Sequence, residues 1–170
     1  SRKLLEIVSA YHANMEKLIG KDYVEVTVRK FHTTLVHLTD FVKWKYSLSD
    51  ISLTQIKYDF ITDFEFYLKT EKNIGNNTVA KHIQNTKRVI NECVDKGWCQ
   101  SNPFVNFKVK TSVKDREFLS EDELKAMSQK ELNLERISVV RDIFIFSCYT
   151  GLSYVDIANL TSDNIVVGID

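Results

Sequence analysis

The sequence predicts a mainly α-helical protein in which a helical bundle is followed by a second folded segment. Three observations support this prediction. Apolar residues recur at steps of three and four along most of the chain, which is the period of a half-buried helix. No convincing sheet can be recognised from alternating polar and apolar residues. A polar and basic stretch without helical period, residues 106–117, divides the chain and is predicted to be a linker.

Four helices are predicted before this linker. The apolar spacing places them at residues 4–18, 27–46, 56–68 and from 76 to about 97. Thr27 is suited to cap the second helix, because its hydroxyl can accept a hydrogen bond from the first turn. Gly20 ends the first helix, and Gly97 ends the fourth. The linker is preceded by Pro103, which disfavours helix at the residue before it.

The segment after the linker is predicted to begin with a capped helix. Ser120 followed by Glu123 is typical of a capping box, in which each side chain bonds the other residue's backbone. The apolar spacing then predicts helices over residues 136–149 and 154–160 and the start of a strand over 164–169. Phe144, Phe146 and Tyr149 are predicted to lie in the core of this segment.

Composition excludes several classes of protein. Hydrophobic residues make up 44% and charged residues 27%, as in ordinary soluble globular proteins. No apolar run reaches the length of about 18 residues that a membrane span requires, so no membrane partner is expected. The three cysteines lack CxxC spacing, which favours free thiols in a reducing cytoplasm. The four histidines have no metal-ligand spacing with them, so no metal site is expected.

The charge is neutral overall but unevenly distributed. Residues 1–74 carry 11 Lys and Arg against 10 Asp and Glu, residues 75–116 carry 8 against 3, and residues 117–170 carry 4 against 10. The middle of the chain is therefore basic, at +5. Such a block can bind phosphates in a neutral protein, because salt screens acidic charge that lies more than about 10 Å away.

Four short motifs occur in one order along the chain. Residues 150–160, TGLSYVDIANL, resemble the T-G-L-R-x-x-E-[LI]-x-x-L box of the tyrosine recombinase (phage integrase) family. Residues 118–124, FLSEDEL, resemble its L-[ST]-x-x-E-[LV] motif, and residues 160–165, LTSDNI, resemble its L-x-x-x-D-[IV] motif. Residues 77–103 resemble its core-binding signature, from Asn-Thr to Asn-Pro. The resemblance thus covers nearly the whole chain.

The resemblance implies a fold and a domain order. Residues 1–105 would form a helical, SAM-like core-binding domain, and residues 106–117 would form the linker. Residues 118–170 would begin an α+β catalytic domain. The family's catalytic lysine, H-x-x-R box and nucleophilic tyrosine would lie further along than Asp170, so these 170 residues are not expected to cleave DNA.

One departure from the family pattern bears on chemistry. Ser153 occupies the position of the first catalytic arginine, and Asp156 that of a supporting acidic residue. An arginine fork neutralises the charge that develops on the scissile phosphate, whereas serine offers one neutral donor. Integrases of conjugative transposons form a branch with serine here, and the segment resembles that branch. Asp156 could equally be a solvated helix residue.

Three groups of residues are candidates for DNA contact. The fourth helix presents cations and amides on one side: Lys81, Gln84, Asn85, Lys87 and Arg88. Gln and Asn can bond adenine in the major groove, and Arg can bond guanine. A solvated helix face is the simpler interpretation, but the resemblance favours DNA. The second helix offers Arg29, Lys30, Thr33, Thr34 and His37, and the linker offers Lys108, Lys110, Lys114 and Arg116 for phosphates. His82 lies near the apolar side of its helix and is expected to be packed.

The resemblance implies the DNA-binding part of a site-specific integrase. The parent would cut and rejoin strands through a 3′-phosphotyrosine, with double-stranded DNA of a core recombination site and other recombinase protomers as partners. No cofactor is implied, because the covalent intermediate conserves the bond energy. The location would be a prokaryotic cytoplasm, at the nucleoid. Two alternatives stay open: a helical protein-interaction module and an inactive regulator of the same family.

Overall fold

The computed structural model describes residues 2–113 and 115–164, which fall into two compact units, Ser1–Val113 and Lys114–Asp170. The first unit holds α1 Leu4–Lys17, α2 Glu25–Tyr46, α3 Tyr58–Thr70 and α4 Asn76–Asp95, with a 3-10 turn at Leu53–Gln55. The second holds α5 Glu121–Gln129, α6 Glu135–Thr150 and α7 Tyr154–Ala158, with a 3-10 turn at Ser162–Asn164. The described residues contain no strand, which confirms the predicted mainly helical class. None of their helices is long and apolar enough to cross a membrane.

An aromatic cluster lies at the centre of the first unit. Phe41 of α2 is fully buried, and its ring centroid lies 5.1 Å from that of Phe60 and 5.2 Å from that of Phe64 in α3. The Phe60 ring in turn stacks on Phe104, which follows α4 in the chain. Aromatic pairs at these distances add attraction to the burial of their large apolar surface. The cluster therefore joins α2, α3 and the segment after α4.

Two helix starts differ from the prediction by two residues. The second helix begins at Glu25, with Val24 rather than Thr27 at the N-cap, and the third begins at Tyr58 rather than at Ile56. Thr27 N–H donates to Val24 O at 2.9 Å, so Thr27 already lies in the first turn of α2 and does not cap it.

The segment after α4 lies along that helix in the opposite direction, and we call residues 102–113 the strap. Phe107 is 7% exposed and Val109 packs against the core. The Lys87 ammonium donates to the backbone oxygens of Val105 and Phe107, at 3.3 and 3.1 Å. Residues 106–113 of the predicted linker are therefore attached to the first unit by apolar and polar contacts. The predicted domain limits stay a prediction.

The strap is held a second time near the N-terminus of α4. The Asn77 side chain donates to Ser112 O at 2.9 Å and accepts from Ser112 N–H at 3.0 Å. The Asn77 carboxamide thus donates one bond to the Ser112 backbone and accepts one from it, as a paired residue of a neighbouring β-strand would. Asn77 and Lys87 together set the path of the strap along α4.

The second unit is built from short helices without buried residues in its described part. The predicted capping box is confirmed, because Ser120 Oγ accepts from Glu123 N–H while Glu123 accepts from Ser120 N–H. The predicted core role of Phe144, Phe146 and Tyr149 is wrong for this structure, since they are 44%, 40% and 69% exposed. The three described helices of this unit provide no second layer that covers these side chains. The strand predicted over 164–169 lies beyond the described residues except Asn164, which ends a 3-10 turn.

Candidate nucleic-acid interface

A groove of about 690 Å³ runs between α2 and α4. Its α2 wall carries hydroxyl and amino groups, and its α4 wall carries amides and cations. The lining residues are Thr27, Lys30, Thr33, Asn77, Thr78, Lys81, His82, Asn85 and Arg88. The two helix faces that the sequence offered as separate candidates thus contribute to one surface, which we call the α2–α4 groove.

Three cations of the groove are available to an anion. Lys30, Lys81 and Arg88 are exposed, and no ion pair within residues 2–113 engages any of them. No Asp or Glu lines the groove. Cations on both walls of one groove attract the phosphates of a nucleic acid and release its bound counterions. The groove has the electrostatics of a phosphate-binding surface.

The floor of the groove is a chain of hydrogen bonds between the two helices. Asn85 Nδ2 of α4 donates to Thr34 Oγ1 of α2 at 2.9 Å, and Thr34 Oγ1 lies 2.9 Å from His82 Nδ1. Thr34 is fully buried and His82 is 6% exposed, whereas Asn85 is half-buried. The predicted DNA contact by Thr34 is therefore wrong, because its hydroxyl is enclosed and used between the helices. The packed role expected for His82 is confirmed.

The pKa values of the two histidines beside this floor are lowered. Burial first, and then the neighbouring His37, lower the pKa of His82 from 6.5 to about 4. The two rings meet edge-on with their centroids 4.8 Å apart. The pKa of His37 is also lowered, first by burial and then by Lys72, against the opposite effect of Asp40. A neutral His82 can accept the Thr34 hydroxyl proton at Nδ1.

Several predicted contacts lie elsewhere. Lys87 is half-buried and its ammonium donates to the strap, so it has a structural role, and its predicted DNA contact stays a prediction. Gln84 lies on a neighbouring surface that shares Arg88 with the groove and also carries Glu92 and Asp95, so it is less suited to phosphate than the groove itself. Arg29 lies on the other side of α2, next to Glu16 and Glu25.

The predicted cations of the linker are partly described. Lys108 and Lys110 are exposed on the strap, and Arg116 is exposed after it. The prediction for Lys114 falls outside the described residues. Lys108 and Lys110 accordingly place two further cations on the first unit.

Three lining residues were missed by the sequence analysis. Thr27, Asn77 and Thr78 contribute hydroxyl and amide groups at the end of the groove near the helix N-termini. Thr27 precedes Lys30 by three positions, and Thr78 precedes Lys81 by three, so each shares a helix face with its lysine. This spacing was a usable signal, but Thr27 was interpreted only as a helix cap and Thr78 only as part of the core-binding signature.

Ser153 and Asp156 form a capping box at the start of α7. Ser153 Oγ donates to Asp156 Oδ2 at 2.6 Å, and Asp156 Oδ2 accepts from Ser153 N–H at 3.2 Å. The serine hydroxyl also accepts from Asp156 N–H, so it satisfies a free donor of the first turn. Both side chains are exposed. The pair therefore has a local structural role, and its predicted catalytic role stays a prediction.

Residues 3–109 match the family described as phage integrase SAM-like domain. The match spans α1 to α4 and includes every residue that lines the α2–α4 groove. No curated protein and no solved structure matches the chain.

Proposed function

Because the chain belongs to the phage integrase SAM-like domain family, we propose that its first unit binds double-stranded DNA through the α2–α4 groove. The family match supports a place among the tyrosine recombinases and phage integrases. The observation that carries the proposal is the set of three cations without acidic partners, Lys30, Lys81 and Arg88, on facing helices. Phosphate contacts of this kind supply most of the affinity of non-specific DNA binding.

The distribution of charge explains why a neutral chain can bind a polyanion. The acidic excess belongs to residues 117–170, whereas the basic block of residues 75–116 includes α4 and the strap. Lys108 and Lys110 of the strap would add phosphate contacts along α4. Contacts to phosphates hold a protein on the duplex, and contacts to base edges provide its sequence preference.

Salt dependence of binding tests this proposal. Fluorescence anisotropy with a labelled 20-base-pair duplex would be measured from 50 to 300 mM salt, with the wild type and a Lys30→Ala, Lys81→Ala, Arg88→Ala triple variant. Each lost phosphate contact makes the negative slope of log K against log salt less steep by about 0.9. The slope of the triple variant should therefore be about 2.7 less steep than that of the wild type. Weak, micromolar binding is expected for the wild type.

A matched variant controls for net charge. Lys17, Lys43 and Lys57 are exposed and unpaired within the described first unit, and they lie outside the groove. Changing these three to alanine removes the same charge and should leave the slope within about 1 of the wild type. Equal losses in the two triple variants, or no binding of the wild type at 50 mM salt, would refute the proposal.

The same proposal extends to a longer protein that carries this chain. Such a protein would exchange DNA strands through a 3′-phosphotyrosine, as a multimer of protomers on its core site, with Ser153 and Asp156 near the scissile phosphate. Trapping a covalent protein–DNA adduct on a nicked substrate, with Ser153 in place, would support an active recombinase. An adduct that forms only after Ser153→Arg would support the inactive regulator instead.

A further inference from the structure

The floor of the α2–α4 groove joins three side chains through one hydroxyl. Thr34 Oγ1 lies 2.9 Å from His82 Nδ1 and accepts from Asn85 Nδ2 at 2.9 Å. If neutral His82 carries its proton on Nε2, the Thr34 hydroxyl donates to Nδ1; if the proton is on Nδ1, the ring donates and Thr34 accepts from both neighbours. The neighbouring Thr33 donates its hydroxyl to Arg29 O in the preceding turn of α2, whereas the Thr34 hydroxyl bonds to side chains of α4.

In both arrangements the Asn85 carboxamide is turned with Nδ2 toward Thr34 Oγ1. A reversed amide would place its oxygen there, and the Thr34 hydroxyl could satisfy that oxygen only if His82 carried its proton on Nδ1. The observed orientation leaves one N–H and the oxygen Oδ1 of Asn85 uncommitted at the groove.

The position of Asn85 places these two groups between phosphate-binding side chains. Lys81 lies four residues before it and Arg88 three residues after it, so all three share one face of α4. Lys30 and Thr33 lie on the opposite wall. A helix seated in the major groove can bind phosphates on both sides with such cations while the side chain between them meets a base edge.

We propose that Asn85 reads an adenine in the major groove and that Thr34 and His82 are positioning residues that orient its amide. This inference rests on the proposed DNA binding and adds the base that is recognised. Adenine presents the acceptor N7 beside the N6 amino group, which donates. The free N–H of Asn85 can donate to N7 while Asn85 Oδ1 accepts from N6. Thymine, cytosine and guanine do not present this pair in the same order.

The first experiment identifies a base and then deletes single atoms from it. The full chain would be used to select duplexes from a library with a randomised 12-base-pair centre, and the affinity for the selected sequence would be measured. Replacing the preferred adenine by 7-deazaadenine removes only N7 and should weaken wild-type binding by about 10-fold. Asn85→Ala should bind both duplexes equally, because it makes neither bond.

The second experiment separates orientation from stability. Thr34→Val keeps the volume of the side chain but removes the hydroxyl, so it should bind DNA with the wild-type salt slope and without the 7-deazaadenine effect. Thr34→Ser keeps the hydroxyl and should retain that effect. Circular dichroism melting of each variant would show that binding is compared between folded proteins, and Asn85→Ala provides the test if Thr34→Val does not fold.

The outcomes distinguish this inference from the function on which it rests. If the wild type does not bind duplex DNA, the proposed function fails. If it binds without selecting adenine, or if Asn85→Ala remains sensitive to 7-deazaadenine, the base-reading role is overturned while DNA binding stands. If Asn85→Ala loses the effect but folded Thr34→Val retains it, the positioning role of Thr34 is overturned.

Discussion

Acid is expected to destabilise the first unit through His82. The pKa of this residue is about 4 in the folded chain and 6.5 without its surroundings. Between these values the unfolded chain binds a proton that the folded chain does not, so the free energy of unfolding rises with pH. With 1.36 kcal/mol per pKa unit, lowering the pH from 8 to 5 should cost about 2 kcal/mol. The neighbouring His37 should add a loss of the same sign, since its pKa is also lowered.

Tryptophan fluorescence makes this measurable in the full chain. Trp44 and Trp98 are the only tryptophans, and both belong to the first unit, so their emission follows the unfolding of that unit alone. Urea titrations at pH 8, 6.5 and 5 would give the free energy of unfolding at each pH. Carboxylates also titrate in this range, so the quantity to compare is a difference between two variants.

His82→Asn is the matched variant. Its amide oxygen can accept the Thr34 hydroxyl near the position of Nδ1, but it does not titrate. The variant should be less stable at pH 8 and should lose about 2 kcal/mol less than the wild type between pH 8 and 5. Parallel pH profiles for the two proteins would refute the argument, because His82 would then not be the group that carries the proton.

Three further outcomes are expected. Phe41→Ala should lower the free energy of unfolding by about 3–5 kcal/mol in the same urea assay, because it leaves a cavity at the centre of the aromatic cluster. A decrease of less than about 1 kcal/mol would contradict that packing. Ser120→Ala should destabilise the start of α5 by about 1 kcal/mol and speed hydrogen exchange there without moving the tryptophan transition, and unchanged exchange would contradict the cap. A thiol reagent at pH 8 should label exposed Cys148 at once and Cys93 only in urea, because Cys93 is buried with its pKa raised to about 11; rapid native labelling of Cys93 would contradict this.

The helices of the first unit could be predicted because their apolar spacing is regular and their partners lie within the same unit. The same method failed for Phe146 and Tyr149 of α6, which are three residues apart but are exposed in the structure. Periodicity shows which face of a helix is apolar, but it does not show whether anything covers that face. The capping box at Ser120 was predictable because its bonds are local.

The candidate site was predictable as two helix faces and not as one groove. Joining Lys30 to Lys81 requires the packing of α2 on α4, which no local pattern contains. Thr34 was assigned to the surface by its residue type, although it lies three residues after Phe31 and four before Leu38, both buried. Its position on the apolar face was therefore the better signal, since a polar residue can be buried when it is hydrogen-bonded.

The structural role of Lys87 was missed for a similar reason. It lies four residues after Ile83 and three before Ile90, so its stem is on the buried face while its ammonium reaches the strap. Long cationic side chains can bury their methylene groups and still place the charge at a polar partner. Spacing from apolar neighbours thus distinguished a structural lysine from the exposed Lys81 better than residue type did.

The attachment of the strap has a consequence for where the protein can be shortened. A truncation after Val105 would remove Phe107, whose ring centroid lies 5.8 Å from that of Tyr58, and would uncover apolar surface of the bundle. Lys87 would lose one of its two carbonyl acceptors, and Asn77 would lose both bonds to Ser112. A piece intended to fold by itself should therefore extend to Val113, and shorter pieces should be prone to aggregation and proteolysis.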